Sequence, residues 1–394
     1  MRPILYAGLP LLALIGCAGN GEAVETAGNN AASAQASAQP FNVEVIADFE
    51  SPWAMAFLPD GSALITEKSG RLVHWSRRNG QNRMVDVAGV PQVDAGGQGG
   101  LGDVVLHPQF ANNGLVYLSW VEPGPDGTRG AVVGRARLLT ISAAMPGAPV
   151  GYQLDGLQVI WRQVPKFSGR GHFAHRIAFS PDGHLFISSG ERQEFTPAQD
   201  MNSNAGKILR LNDDGSVPAG NPFASRGGVT AQIWTLGHRN PLGLAFAPDG
   251  RLWENEMGPA GGDEFNLIER GSNYGYPIVS NGDHYDGRPI PDHDTRPEFN
   301  APEITWTPVI SPSSLIFYTG SQFRDWRGNA LIGGLSSQAL IRVAIDGNTA
   351  REVARYPMNA RIRAVDQGPD GSIFLLEDGG RDSQGRLLRL TPAR

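Results

Sequence analysis

The sequence predicts an all-β protein, a six-bladed β-propeller, on three observations. A strand, Pro-Asp-Gly turn, strand unit recurs along the chain. Its copies lie roughly 50 to 75 residues apart, the loose period of hairpin blades that carry loop insertions. No stretch has the helical periodicity that an α/β sheet requires. A sandwich or barrel would also explain short strands, but not the same turn returning in the same place. The 51 glycines among 394 residues supply the many turns such a fold needs.

In chain order, Arg2, the apolar run 4–15 and Gly16-Cys17-Ala18 form a charged head, a short hydrophobic stretch and a small-residue cleavage context. The run is too short for a permanent membrane span. Leu14-Ile15-Gly16-Cys17 resembles the bacterial lipobox, which makes residues 1–17 a lipoprotein signal and Cys17 the lipid acceptor. A plain secretory signal with an incidental cysteine is the alternative. Cys17 is the only cysteine, so no intrachain disulfide forms. Residues 18–40, rich in Ala, Asn, Ser, Gly and Gln, cannot bury a core and read as a flexible tether.

The propeller domain then spans 41–394. Its first repeat is 54–65, turning at Pro59-Asp60-Gly61, and the second runs from 102–106 to 114–118. The third (177–187) and fourth (244–253) turn at Pro181-Asp182-Gly183 and Pro248-Asp249-Gly250. A degenerate fifth leads from 314–317 to 330–332, and the sixth from Val365 through Asp370-Gly371 to 373–376. Asp-Gly supplies the backbone freedom of a tight turn. Closure needs the ends to meet, so a strand holding Val43 and Val45 should complete the blade that ends at 387–390.

Net charge is −6 and no basic run exceeds a pair such as Arg77-Arg78, which argues against a nucleic-acid partner. No zinc-type Cys/His cluster, P-loop or GxSxG elbow occurs. Residues 97–102 match GxGxxG by letter but lead into a strand rather than a helix, which discounts a dinucleotide site.

Propellers are scaffolds, so function rests on polar residues near the channel. Those just ahead of each hairpin should converge at one end: Gln98, His172, Arg239, Asn240, Arg361 and Arg363. The alternation at Arg361 and Arg363 puts both guanidiniums on one strand face, where they can clamp carboxylates. A solvated strand edge is the bland alternative. Positive charge focused in an acidic protein suggests an anionic ligand. His172 suits a general base, with His175 as a second candidate, although a histidine in a glycine-rich loop is often structural. Gly258-Pro259 followed by Asp263-Glu264 offers carbonyls and carboxylates to a hard cation; an acidic loop without metal is equally open.

The segments GGQGGLGDVVLHPQF, GHFAHRIAFSPDGHLFISSGER, AGKILRLNDDGSVPAGNPF, LGHRNPLGLAFAPDGRLWENEMGPAGGDEFNL and NARIRAVDQGPDG resemble the soluble sugar dehydrogenases that use pyrroloquinoline quinone (PQQ), the glucose/sorbosone dehydrogenase family. The likeness runs from about Phe41 to Leu390. It implies His172 as catalytic base and Arg239 with Asn240 beside the reactive carbonyl. Gln98, Tyr285, Arg361 and Arg363 become cofactor contacts, the arginines answering the carboxylates of PQQ. Carbonyls of Gly258 and Pro259 would hold the calcium that polarises the quinone, with Glu264 and Tyr274 at a calcium site beside it. Trp306 resembles a substrate-side aromatic. Two departures stand out. Glucose-specific members carry an Asp where this chain has Gly171, and a cofactor-contacting lysine is replaced within Gly334-Leu335-Ser336-Ser337-Gln338.

The resemblance thus implies a PQQ- and calcium-dependent oxidoreductase that converts an aldose C1 hydroxyl to a lactone and passes electrons to an external acceptor. Export to the periplasm, membrane contact only through a lipid anchor with the outer membrane favoured, and a monomer or homodimer complete the expectation. Two other readings remain: a calcium-dependent lactonase-type hydrolase, and a cofactor-free propeller that binds glycans or proteins. The loop 288–302 carries no readable code for which sugar.

Overall fold

Hairpins of the recurring unit become antiparallel sheets in the structure, a computed structural model that describes residues 39–141, 150–380 and 383–393. The expected signal segment, Cys17 and most of the tether lie outside the described residues. All described elements belong to one compact unit, Ala36–Arg394. Strands dominate, and the α-helix Phe110–Asn113 is four residues long. Among the described residues no helix is long and apolar enough to cross a membrane.

Two antiparallel meanders come first: Pro52–Phe57, Ala63–Glu67, Arg71–Arg78 and Gln81–Ala88, then Leu101–Leu106, Leu115–Pro123, Arg129–Ile141 and Gly151–Arg162. A short parallel contact, Val87 to Tyr152 and Ala88 to Gln153, joins their outer edges into one eight-stranded sheet. Three four-stranded sheets follow. They begin with Ala174–Phe179, Pro241–Phe246 and Pro312–Phe317. The last sheet takes Ile362–Gln367, Ile373–Glu377 and Arg386–Pro392 from the C-terminal end and Phe41–Asp48 from the other. Val43 pairs with Leu390 and Val45 with Leu388, so the two ends of the fold share a sheet. The first strand of each meander touches that of the next, and Ile362–Gln367 returns to Pro52–Phe57.

Sequence explains the turns. Gly61, Gly183, Gly250 and Gly371 adopt φ between 82° and 88°, a region that strains a residue with a Cβ. Ahead of the first, third and fourth of these sites stand Asp60, Asp249 and Asp370 in their own hairpins, and each carboxylate accepts the N–H two residues on, at 3.0 Å. The degenerate fifth hairpin replaces this turn with the 3₁₀ segment Arg324–Trp326.

Second strands such as Ala63–Glu67, Leu252–Glu256 and Ile373–Glu377 are buried along their whole length because each sheet is covered on both faces. The core therefore consists of several clusters between sheets. Trp253, fully buried, stacks on Phe265 at 5.0 Å within one of them. Hydroxyls stitch neighbouring sheets at the inner strands: Thr66 Oγ1 donates to the Gly102 carbonyl at 2.6 Å, Ser188 Oγ to Pro241 at 2.8 Å and Ser313 Oγ to Ile362 at 2.8 Å.

Candidate active site

The site grows from the open end of the inner hairpins. Their last paired positions at this end include Pro52 with Glu67, Ala174 with Ser189, Pro241 with Glu256 and Ile362 with Glu377. Just beyond these pairs, Ser51 faces Lys68 and Arg361 faces Asp378, one rung further, and His172 lies by Glu191, two rungs further. Backbone bonds hold two of these rungs, Lys68 N–H to Ser51 at 3.0 Å and Asp378 N–H to Arg361 at 2.9 Å. Each hairpin thus presents two side chains at the same end.

Gln98, Asn240, Arg361 and Arg363 line one cavity of about 440 Å³ together with Lys68 and Asp378. Trp53 and His175, stacked at 5.0 Å and nearly parallel, form part of its wall. The paired arginines already hold a carboxylate of the chain itself: Arg361 Nε donates to Asp378 at 2.9 Å and Arg363 Nε at 2.7 Å. Burial would raise the Asp378 carboxyl, but these guanidiniums outweigh it and hold it below its ordinary range. Lys68 donates to the Gly97 carbonyl and has no carboxylate bound to it. Burial, then Arg363, lowers its ammonium. Three cations and one carboxylate leave this cavity net positive. Asn240 contributes a buried Oδ1 without a partner. Ser336 lines the same cavity, to which Lys68 brings its cation from a different hairpin.

His172, Arg239, Pro259 and Tyr285 line an adjoining cavity of about 250 Å³. His172 sits at φ 47°, with its N–H bound to Gln98 Oε1 at 2.7 Å. Its Nδ1 lies 2.5 Å from Oε1 of Glu191, a fully buried carboxylate. An ionised carboxylate only accepts, so Nδ1 carries the hydrogen and Nε2 keeps its lone pair. Burial lowers the imidazole below its ordinary pKa despite the opposing pull of Glu191, and Arg239 adds to the lowering. Glu191, raised by burial but lowered more by His172 and the Phe195 N–H, stays ionised. His172 is therefore a neutral imidazole whose ring Glu191 orients, with Nε2 left able to accept a proton. Arg239 Nη1 donates to the Met257 and Gly258 carbonyls at 2.9 and 2.7 Å, and Nη2 to the Tyr285 hydroxyl at 3.2 Å. Tyr285 belongs to this cavity rather than the larger one. Glu256 accepts the backbone N–H of both Arg239 and Asn240 and so fixes the pair.

Behind Arg239 lies a buried acidic cluster. Ligand atoms of His238, Glu254 and Glu256 fall within 4.8 Å of one another. Asn266 Nδ2 links Glu254 to Glu264, at 2.7 and 3.1 Å. Burial, then Glu256, raises Glu264 well above its ordinary range and Glu254 to about 7. His238 rises to about 9 because the two glutamates overcome its burial. Tyr274 stacks on His238 at 4.7 Å, and its carbonyl accepts from His293 Nε2 at 3.1 Å. Gly258 donates its N–H to Asp263 at 2.9 Å while its carbonyl faces Arg239. Trp306 stands apart from both cavities, buried in an intersheet cluster with Nε1 on Glu352 at 2.7 Å. His175, buried and held by Ser119 Oγ at 2.7 Å, is pushed down to about 3 by burial and then Arg176, so it stays neutral.

Lys68, Glu191, Glu256 and Asp378 were not among the residues singled out from sequence. Each stands at or just beyond the end of a hairpin's second strand. Glu191 and Asp378 lie opposite His172 and Arg361, so antiparallel register would have found those two, whereas Lys68 and Glu256 face Ser51 and Pro241, which carried no signal.

Comparison with known proteins finds relatives over most of the chain. The profile of the Glucose / Sorbosone dehydrogenase family matches residues 49–389. The aldose sugar dehydrogenase YliI of Escherichia coli (strain K12) is 39% identical over 360 residues, 89% of this chain and 93% of that protein. Quinoprotein glucose dehydrogenase B of Acinetobacter calcoaceticus is 28% identical over 88% of this chain and 87% of its own length. The apo structure of the soluble E. coli aldose sugar dehydrogenase superposes with a TM-score of 0.80 at 38% identity, over 90% of this chain and 100% of that one. The PQQ-bound aldose sugar dehydrogenase of Streptomyces coelicolor gives 0.68 at 27%, over 91% and 99%. With these relatives, the all-β fold with its net-positive cavity beside a carboxylate-bound histidine belongs to a sugar oxidoreductase. The chain belongs to the glucose/sorbosone dehydrogenase family.

Proposed function

We propose that the protein is a six-bladed propeller that oxidises the C1 hydroxyl of an aldose to a lactone, with PQQ in the larger cavity and sugar in the smaller. The observation that carries this reading is the adjacency of the two cavities, one net positive and one containing an oriented neutral base. The residues present fit the groups implied. Lys68, Arg361 and Arg363 offer positive charge to a tricarboxylate, and Asn240 Oδ1 and Arg239 Nε are buried without partners. Glu254 Oε2 and Asn266 Oδ1, also unpartnered, suit a hard cation such as calcium near Glu264 and Tyr274, with the carbonyls of Gly258 and Pro259 as a second candidate set. When bound, PQQ accepts the hydride and calcium polarises it as a Lewis acid.

The chain's own part is positioning and proton transfer. Nε2 of His172 takes the C1 hydroxyl proton, Glu191 stabilises the imidazolium that results, and Arg239 fixes the approach of the reacting atoms. A neutral lactone needs no net-positive cavity, which disfavours the lactonase alternative. Periplasmic export, a lipid at Cys17 and delivery of electrons to an external acceptor belong to the same proposal.

Purified protein loaded with PQQ and Ca²⁺ should reduce a dye when given a panel of aldoses. His172→Ala should abolish turnover and leave PQQ affinity unchanged. Absence of both PQQ binding and dye reduction in the wild type would overturn the reading.

A further inference from the structure

The segment after the strand Leu185–Ser189 turns sharply where it lines the smaller cavity. Arg192, Gln193 and Phe195 have φ of 70°, 64° and 62°. Such values are uncommon for residues with a Cβ and persist only where surroundings impose them. Here the anchors are visible: Phe195 N–H donates to Glu191 Oε2 at 2.7 Å, and its carbonyl accepts from Ala198 N–H at 3.2 Å. Glu191 therefore binds the base through one oxygen and Phe195 through the other.

The strain does not serve core packing. Pro197 and Ala198 are buried, whereas Phe195 remains 43% exposed. Its ring lines the cavity of His172 and Arg239, with Tyr276 6.4 Å away and tilted by 29° and His284 edge-on at 5.7 Å. A half-exposed apolar ring thus lines a small cavity that hydrogen-bonding groups also line.

Resting on the dehydrogenase reading, we infer that Phe195 is a substrate-binding residue: its face takes the C–H face of the aldose pyranose ring in the cavity that His172 also lines. Occupants follow from chemistry. A neutral sugar offers an apolar face and a rim of hydroxyls, matching an aromatic ring, Phe195, and polar groups such as Arg239 in one lining. A cavity of about 250 Å³ suits one ring rather than a long chain.

The test compares wild type, Phe195→Ala and Phe195→Tyr, each loaded with PQQ and Ca²⁺. Alanine should raise KM for the aldose about tenfold, the loss of one stacking contact. Its kcat should hold within about twofold, because uniform binding is what is lost. PQQ affinity, measured by titration of the apoprotein, should not move, and tyrosine should restore KM. Phe195→Gly should raise KM equally while raising Tm, since glycine accepts this φ freely. An unchanged KM in the alanine variant overturns the inference, as does a fall in kcat at constant KM or a loss of PQQ affinity. If wild type binds PQQ but oxidises no aldose, the dehydrogenase reading fails instead, and saturation-transfer NMR of the sugars with wild type and Phe195→Ala judges Phe195 by itself: equal transfer to both overturns it.

Discussion

At the scale of single residues, the contact between His172 and Glu191 decides the protonation chemistry. Burial alone would pull the imidazole far down, and the carboxylate restores part of that loss. Since the net shift is downward, the base form prevails at neutral pH. The sugar-dependent kcat/KM should therefore rise through a pKa below the ordinary histidine value of 6.5 and stay flat above it. Glu191→Gln removes the group that raises the imidazole, so this limb should move to lower pH, and the loss of orientation should cost on the order of 10²-fold in kcat. Steady-state pH profiles of the two proteins check both effects; an unmoved limb would separate Glu191 from the base.

Among elements, the inner hairpins do two jobs with different parts. Their paired rungs bury hydrophobic side chains, and the rung beyond each pair carries polar residues into the cavities. Because the hairpins must be held side by side for those rungs to converge, hydroxyls that cross between sheets matter. Thr66 Oγ1 accepts the Ala54 N–H at 3.0 Å and donates to Gly102 of the next meander. Thr66→Val keeps the shape but strands both groups inside the protein, which should cost about 1–3 kcal/mol. Urea unfolding would register this as a lower midpoint with an unchanged slope. A midpoint equal to wild type would mean that water or backbone shifts replace the bridge.

For the molecule as a whole, the ring of inner strands lines a third cavity of about 370 Å³. Asp103 there is paired with Arg176 at 3.1 Å, but Asp366 has only the Gln367 N–H, at 2.7 Å. Burial, and then the nearby Asp103, pushes Asp366 up to about 7. Its folded pKa exceeds the unfolded one, so its contribution to stability is complete below about pH 4 and is lost as pH rises through 7. Asp366→Asn should then be more stable than wild type at pH 8 by roughly 4 kcal/mol and lose that advantage at pH 4. Chemical denaturation at the two pH values measures the difference. Parallel stability curves would show that Asp366 is not held protonated by the channel.

The sequence by itself determined the strands and the turns, because hydrophobic runs and Asp-Gly pairs act over a few residues and need no distant partner. It also carried the near sides of the site: Gln98, Arg239, Asn240, Arg361 and His172 stand beside the hairpins that position them. Tertiary structure decided the partners. Arg361 and Arg363 read as free clamps, yet they grip Asp378, which antiparallel pairing brings back across 17 and 15 residues. His172 read as lacking an orienter beside Gly171, yet Glu191 supplies it from across the same hairpin. Trp306 read as facing substrate and packs between sheets, where its indole finds Glu352. Those outcomes depend on which rungs adjoin and which faces neighbouring sheets cover, and both are fixed only when the ring of strands closes.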